Sequence, residues 1–222
     1  MTPYTAPLRD MCFVIHELVG LEQMALWPGL DDCSAELVDA VLAQAGHFGS
    51  TVLAPLNAAG DRQGARWHAG RVATPDGFAD AYRQYVAAGW QGLSCSSALG
   101  GQGLPKLVGA AVQEIWKASN QAWSICQALT LGAIEVLVAS GSARQRELLL
   151  PKLLSGEWSA AMNLTEAQAG SDLSTVRTRA VPQADGSYRV VGQKVFISYG
   201  EHDMSDNIIH FVLARTPDAP SG

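Results

Sequence analysis

Residues 162–172, Met-Asn-Leu-Thr-Glu-Ala-Gln-Ala-Gly-Ser-Asp, form the run whose residue types best suit the binding of a ligand. Apolar residues at 160–164 predict a strand, and Gly170 permits a tight backbone turn after it. Ser171 and Asp172 add a hydroxyl, a free backbone N–H and a carboxylate that can cap a turn. A strand that ends in small residues with free N–H groups can bring its backbone against a planar or phosphorylated ligand. Taken alone, such residues more often form only a turn, so the interpretation depends on the rest of the chain.

Further motifs accompany this run in a fixed order along the chain. Residues 99–105 (Leu-Gly-Gly-Gln-Gly-Leu-Pro) and 150–157 (Leu-Pro-Lys-Leu-Leu-Ser-Gly-Glu) precede it, and residues 192–198 (Gly-Gln-Lys-Val-Phe-Ile-Ser) follow it. Together these motifs resemble the acyl-CoA dehydrogenase family of flavoproteins over nearly the whole chain. Residues 4–11 resemble a subgroup with an enlarged C-terminal region, which acts on medium- to long-chain or methylthio-acyl CoA.

The resemblance implies FAD-dependent α,β-dehydrogenation of an acyl-CoA thioester, the reaction type of fatty-acid β-oxidation. That reaction needs a base for the α proton, hydrogen bonds to the thioester carbonyl and an acceptor for hydride from the β carbon. The flavin is the acceptor, while the protein supplies position and electrostatics. By resemblance, the residues that contact FAD are Met162, Leu164, Thr165, Gly170, Phe196 and Ser198. Ser171 is expected where the acyl-CoA approaches.

Three residues depart from the family pattern. Ala167 replaces a common proline, Phe196 replaces a common tryptophan and Ser198 replaces the usual threonine. Phenylalanine keeps a ring for stacking but lacks the indole donor. Serine keeps the hydroxyl but loses the rotamer restriction of a β-branched residue. We expect flavin binding to survive these changes.

The resemblance places the catalytic base outside this chain. In the family, the base is a glutamate of a C-terminal helical domain, which would lie beyond Gly222. The chain is therefore interpreted as the N-terminal portion of an enzyme, inactive alone and without a catalytic residue of its own. Glu166 is assigned a structural role, and His202 with Asp203 is interpreted as a surface turn between strands.

Two alternatives to a dehydrogenase remain open. An acyl-CoA oxidase would keep the fold but pass its electrons to oxygen, and a non-catalytic chain would serve as the partner subunit of a heteromeric dehydrogenase. The partners implied by the resemblance are an acyl-CoA substrate and electron-transferring flavoprotein as the electron acceptor. Further copies of the chain, or a C-terminal half, would complete the assembly.

Hydrophobic periodicity predicts the elements that must position these residues. Apolar residues recur at helical spacing before Gly156 and alternate with a period of two after it. The sequence thus predicts an α+β fold, with an all-α helical domain at 1–156. The beginning of an antiparallel β-barrel-like domain follows at 157–222.

Local signals define several element ends. Thr74 is expected to cap a helix over 78–88, and a helical stretch over 104–140 is expected to break near Ser119 and Asn120. Ser142 is expected to cap a helix that Pro151 bends or shortens. Asp185-Gly186 predicts a hairpin, while further strands are predicted at 176–180, 195–198 and 208–214. Residues 58–72 and 91–103 are interpreted as long loops.

Composition excludes several classes of protein. The chain has 222 residues, 48% of them hydrophobic, and a net charge of −6, which argues against binding of nucleic acid. The cysteines (Cys12, Cys33, Cys95 and Cys126) form no Cys-x-x-Cys pair, so reduced thiols, no metal site and a cytoplasmic location are expected. Residues 118–134 are weakly charged but too polar to span a bilayer, and no membrane anchor is expected.

Overall fold

The computed structural model describes residues 3–24 and 33–220. In that part of the chain seven helices and six strands follow one another. The helices are α1 (Leu8–Phe13), α2 (Leu21–Met24), α3 (Ala35–Phe48), α4 (Ala54–Gln63), α5 (Phe78–Ala87), α6 (Lys106–Ser140) and α7 (Ala143–Ser155). The strands are β1 (Arg66–His68), β2 (Arg71–Ala73), β3 (Trp158–Asn163), β4 (Arg179–Pro182), β5 (Tyr188–Val191) and β6 (Asn207–Val212). Helix α1 continues into a π-helix at Val14–Val19, and α3 continues into another at Gly49–Leu53.

Helix α6 is the central element of the helical region, and it breaks where the sequence predicts. Asn120 has the non-helical dihedral angles φ −158° and ψ 88°. Its side-chain oxygen accepts a hydrogen bond from the Trp123 backbone N–H, and its amide donates to the Leu53 carbonyl. Asn120 therefore caps the second half of the helix and ties it to the turn that follows α3.

An aromatic cluster fills the core around α6. Trp116 and Trp123 are fully buried, and the ring of Tyr85 meets both edge-on, with centroids 5.4 and 5.7 Å away. The Trp123 indole N–H donates to the Phe78 carbonyl, so this buried polar group is paired. By length and composition α6 could cross a membrane, but 44% of its most apolar window lies inside the fold.

The ends of the neighbouring helices agree with the sequence in part. Ser142 caps α7 in a capping box with Gln145, as predicted. Pro151 lies inside α7, which nevertheless continues to Ser155, so the proline does not shorten it. The cap predicted at Thr74 is wrong, because Gly77 precedes α5 and Thr74 instead bonds to Asp203.

Residues 58–72 are not one long loop. Helix α4 continues to Gln63, and β1 then pairs with β2 in a short antiparallel hairpin. Residues 91–103 contain two 3₁₀ turns but otherwise form the loop that was predicted.

The remaining strands confirm the α+β class and form no closed barrel within the described residues. Strands β4 and β5 form the antiparallel hairpin predicted at Asp185-Gly186. Strand β3 pairs with β6 in parallel, not antiparallel, with Met162 opposite Phe211. The strand predicted at 176–180 begins only at Arg179, and no strand forms at 195–198. The division into domains at residue 156 stays a prediction.

Candidate functional site

The end of β3 lies beside the segment that leads to Phe196. The Val195 backbone N–H donates to the Thr165 carbonyl at 3.0 Å. The Lys194 ammonium donates to the Leu164 carbonyl at 2.8 Å and to Glu166 Oε1 at 3.0 Å. These bonds place the two sequence motifs that carry most of the predicted cofactor residues side by side.

Glu166 is the buried anchor of this arrangement, and its exposed fraction is only 5%. Its carboxylate accepts hydrogen bonds from the backbone N–H groups of Arg177 and Thr178 at 2.8 and 2.9 Å. Gln168 and Lys194 donate to it as well. The Thr178 hydroxyl, these N–H donors and the Lys194 ammonium hold the pKa of Glu166 far below its usual range, although burial opposes them. Glu166 is thus a fixed anion, which agrees with the structural role inferred from the sequence.

The tight turn after β3 lies earlier than predicted. Glu166 and Ala169 exchange backbone hydrogen bonds of 3.1 and 3.0 Å, so the turn is made by Ala167 and Gln168. Gly170 has no left-handed φ, and a Cβ built on it would meet nothing within 4 Å. The turn is displaced because the Glu166 carboxylate fixes the chain before Gly170 is reached.

Gly170 and Ser171 lie in an exposed loop beyond this turn. Asp172 Oδ1 accepts a hydrogen bond from the Ser174 backbone N–H, and the Thr175 hydroxyl bonds back to the Gln168 carbonyl. No hydrogen bond among the described residues joins Gly170 or Ser171 to segment 195–198. The loop is therefore held by its own contacts, separately from that segment.

Phe196 is the most exposed large apolar side chain of the described residues, at 92% exposure. Its backbone is left-handed, with φ +57°, and Tyr199 three residues later also has a positive φ, of +52°. Such conformations are uncommon for bulky residues and persist only where the surrounding structure imposes them. The predicted strand at 195–198 fails for this reason, since the left-handed residue turns the chain out of line.

Two hydroxyls lie in the segments beside this ring. Thr165 is half-buried and Ser198 is exposed. Neither side chain makes a hydrogen bond to the described part of the protein, so both can bond to a ligand. Met162 is half-buried in β3, and Leu164 is 36% exposed just after it.

Ser198 also lines a cleft of about 870 Å³. Tyr199 lines the same cleft, and its hydroxyl donates to the Ala122 carbonyl of α6 at 2.6 Å. Asn57 and Arg62 of α4 are among the other lining residues. The volume is within the usual range for a site that binds a small molecule.

His202 lies beneath this segment and is buried, so its interpretation as a surface turn is wrong. Its Nδ1 accepts the Met204 backbone N–H at 3.1 Å, and its Nε2 lies 3.0 Å from the Ser159 hydroxyl. Because Nδ1 accepts, the proton of the neutral ring is on Nε2 and points to Ser159. Burial lowers the pKa of His202 to about 4, against a smaller opposing effect of Asp203. The ring is therefore a neutral tie between β3 and segment 196–204.

Asp203 is also tied to the fold and does not pair with His202 as an acid and base. Its carboxylate accepts hydrogen bonds from the backbone N–H and hydroxyl of Thr74, at 3.0 and 2.6 Å. The sequence could not reveal this contact, since 129 residues separate the two partners.

The sequence analysis missed two features. Lys194 lies within the motif at 192–198 and was assigned no role, yet its nearly buried ammonium pairs with Glu166. A lysine within an apolar run was the available signal. No metal site was expected from the sequence, but the ligand atoms of Cys12 and His16 lie with that of Asp39 in one cluster. The four-residue spacing of Cys12 and His16 was the signal, because such residues share a helix face.

The residues present fit an FAD. An exposed aromatic ring in an imposed conformation suits stacking on a planar ring system, and the free hydroxyls of Thr165 and Ser198 suit its polar edge. Mainly apolar surface from Met162 and Leu164 lies beside them.

Comparison with known proteins identifies the fold and the family. An acyl-CoA dehydrogenase from Bacillus anthracis, solved in complex with FAD, superposes with a TM-score of 0.66 at 24% identity, covering 84% of this chain and 30% of that one. The likeness shows a shared fold. Residues 38–157 match the model of the acyl-CoA dehydrogenase N-terminal domain.

At least four relatives match 99–100% of the chain, among them the following two. A 3-methylmercaptopropionyl-CoA dehydrogenase of Ruegeria pomeroyi is 48% identical over 99% of this chain and 37% of its own length. A butyryl-CoA dehydrogenase of Syntrophomonas wolfei is 34% identical over 99% of this chain and 37% of its own length. The chain belongs to the acyl-CoA dehydrogenase family, and it spans 37% of the length of these two relatives.

Proposed function

We propose that this chain forms the FAD-facing and acyl-CoA-facing part of an enzyme that dehydrogenates acyl-CoA thioesters between the α and β carbons. The observation that carries the proposal is Phe196, which holds an almost fully exposed ring in a left-handed backbone conformation. Exposing a large ring and straining its backbone both cost free energy, so a ligand that covers the ring accounts for both. Membership of the acyl-CoA dehydrogenase family supports FAD as that ligand.

The residues of the chain would bind and orient the flavin. Phe196 would stack on the ring system, Thr165 and Ser198 would hydrogen-bond its polar edge, and Met162 with Leu164 would cover its apolar side. When bound, FAD supplies the acceptor for hydride. The Glu166–Lys194 pair would keep the backbone carbonyl of Leu164 and its neighbours in place.

The base for the α proton would come from a segment or subunit outside the described residues. Glu166 is unsuitable because four donors surround its carboxylate. His202 is unsuitable because it is buried and both of its nitrogens are engaged. Electron-transferring flavoprotein would then accept the electrons from the reduced flavin.

The substrate class we propose is a short acyl-CoA, with 3-methylmercaptopropionyl-CoA as the first compound to test. The relative with 48% identity carries that compound in its name. Butyryl-CoA, from the name of the other relative, is the matched compound without sulfur. Comparing kcat/KM for the two distinguishes the substrate classes.

The test uses the product of the whole reading frame, purified with its flavin. We expect visible flavin absorption that bleaches when the acyl-CoA is added without oxygen. F196A should bind FAD about 5- to 160-fold more weakly, because an aromatic stacking contact is worth roughly 1–3 kcal/mol. W67A is the matched control, since Trp67 is also an exposed aromatic, at 74%, but lies on the β1 strand.

Equal FAD affinity for F196A and W67A would refute the assignment of Phe196. Rapid peroxide formation in air would instead favour an acyl-CoA oxidase. A protein that never takes up FAD, alone or with other subunits, would refute the proposed function.

A further inference from the structure

We propose that Cys12, His16 and Asp39 form a binding site for Zn²⁺ or a similar transition-metal ion at the junction of α1 and α3. The site is separate from the proposed flavin face and shares no residue with it. Its ligand atoms are a thiol sulfur, an imidazole nitrogen and a carboxylate oxygen, all within 4.8 Å of one another.

Two helices bring these three groups together. Cys12 and His16 are four residues apart, so they project from the same side of the N-terminal helix. Asp39 lies on α3, which packs against that helix. Below the site the two helices are held by buried apolar residues, among them Ile15 and Val38. The ligands therefore stand on a rigid base, as a metal site requires.

The distances are close to those that a metal needs. His16 Nε2 lies 2.7 Å from Asp39 Oδ1, and Cys12 Sγ lies 3.2 Å from the same oxygen. Usual Zn–N, Zn–O and Zn–S bond lengths in tetrahedral geometry give about 3.4 Å between nitrogen and oxygen and about 3.6 Å between sulfur and oxygen. Both pairs thus need to separate by less than about 1 Å, which rotation of the exposed Asp39 side chain can provide.

The backbone at this site is unusual. The α-helix changes to a π-helix at Val14, between Cys12 and His16. π-Helical turns are rare and occur frequently at functional sites. The π-helix begins within the ligand cluster, and this backbone feature supports a functional site there independently of the side chains.

The chemistry of the donors favours zinc. Thiolate, imidazole and carboxylate are its usual ligands, whereas Mg²⁺ and Ca²⁺ prefer oxygen alone. Without metal, the Cys12 thiol donates a hydrogen bond to Asp39 Oδ1. On binding, a sulfur–metal bond replaces the S–H bond, and a nitrogen–metal bond replaces the Nε2–H bond that points to Asp39. The imidazole then carries its proton on Nδ1, and every displaced proton leaves to solvent.

Solvent can reach the site. The side chain of Asp39 is 53% exposed and that of His16 is 20% exposed. Three protein ligands leave a fourth tetrahedral position, which water would occupy. The ion would tie the first helix to α3.

The experiment is a titration of the full-length protein, flavin included, with Zn²⁺ in competition with a chromophoric chelator. Co²⁺ is titrated in parallel, since its thiolate charge-transfer absorption reports a sulfur ligand directly. We expect one tight site per chain, a Co²⁺–thiolate band and a rise in Tm with zinc. C12S should abolish the band and weaken zinc binding at least about 100-fold.

H16Q and D39N should weaken zinc binding without removing the thiol. If C12S does not fold, these two variants test the site in its place. C95S is the matched cysteine control, and C126S tests the rival buried pair in which the Cys126 sulfur lies 3.8 Å from His202. Both controls should bind zinc as the wild type does. Absence of a tight site, binding that survives C12S, or binding lost only in C126S would overturn the proposal.

Discussion

Two buried titratable side chains near the proposed flavin face differ in charge: one is ionised and the other is neutral. Glu166 is kept ionised by donors that surround its carboxylate, whereas His202 is kept neutral by burial. Both are positioned by hydrogen bonds to backbone groups, so each fixes a segment of chain and neither is free to exchange protons with a substrate.

His202 makes stability depend on pH. Its pKa falls from 6.5 to about 4 in the folded protein, so between these values the unfolded chain binds a proton that the folded chain does not. Above pH 6.5, His202 does not change the free energy of unfolding with pH. As the pH falls from 6.5 toward 4, the free energy of unfolding decreases because the unfolded chain takes up the proton. Between pH 7 and pH 5 we expect its contribution to the free energy of unfolding to fall by about 2 kcal/mol.

Urea unfolding at several pH values measures this effect. H202Q should lose less stability than the wild type over that range, while H68Q, at an exposed position on β1, should follow the wild type. Parallel curves for H202Q and the wild type would show that His202 does not titrate as inferred.

Glu166 and Glu157 provide a comparison of two ion pairs with lysine. The Glu166–Lys194 pair is nearly buried, with 4% and 8% side-chain exposure, whereas the Glu157–Lys152 pair is more than 40% exposed on each side. E166Q should lower Tm much more than E157Q, because it turns an acceptor of two backbone N–H groups into a partial donor and leaves a buried ammonium unpaired. Equal Tm values in thermal unfolding would contradict the anchoring role of Glu166.

At the scale of elements, two glycines within helices differ in the space that is available for a side chain. Gly60 of α4 faces the buried ring of Phe78, and a Cβ there would lie 2.8 Å from a ring carbon. A Cβ added to Gly132 of α6 would meet no atom within 4 Å. The same substitution should therefore have opposite effects in the two helices.

G132A should stabilise the protein by about 0.5–1 kcal/mol, since alanine costs less backbone entropy in a helix. G60A should destabilise it by about 1–3 kcal/mol, because the added methyl group overpacks the site against Phe78. Chemical denaturation of both variants tests the pair. A G60A variant as stable as the wild type would mean that α4 and the ring can separate at little cost.

The elements that the sequence predicted correctly are those whose ends or turns depend on residues close to one another in the chain. Asn120, Ser142 and Asp185-Gly186 each bond to a backbone group within three residues or form a defined turn, so their effect is visible in a short window. Segment 195–198 reads as a strand by the same local rules. Phe196 has a left-handed backbone there, which departs from the extended conformation that those local rules assume.

At the scale of the whole molecule, the predicted site residues fall into two groups. Thr165, Phe196 and Ser198 lie on segments joined by the Val195–Thr165 hydrogen bond, as a common site requires. Gly170 and Ser171 lie in a separate exposed loop, where their assignment to the cofactor and acyl-CoA stays a prediction. The contacts that set this arrangement, such as Thr74 with Asp203, join residues too far apart in sequence to be inferred from it.

The hairpin of β4 and β5 has a consequence for motion. Every residue of β5 is exposed, and the pair forms a sheet of only two strands, whereas β3 has three buried residues at its centre and packs on α6. Isolated two-stranded hairpins are marginally stable in water. Strand β5 should therefore separate from β4 on its own, and in hydrogen–deuterium exchange the Arg189 amide, which lies in the β4–β5 ladder, should label long before the Ala161 amide of β3.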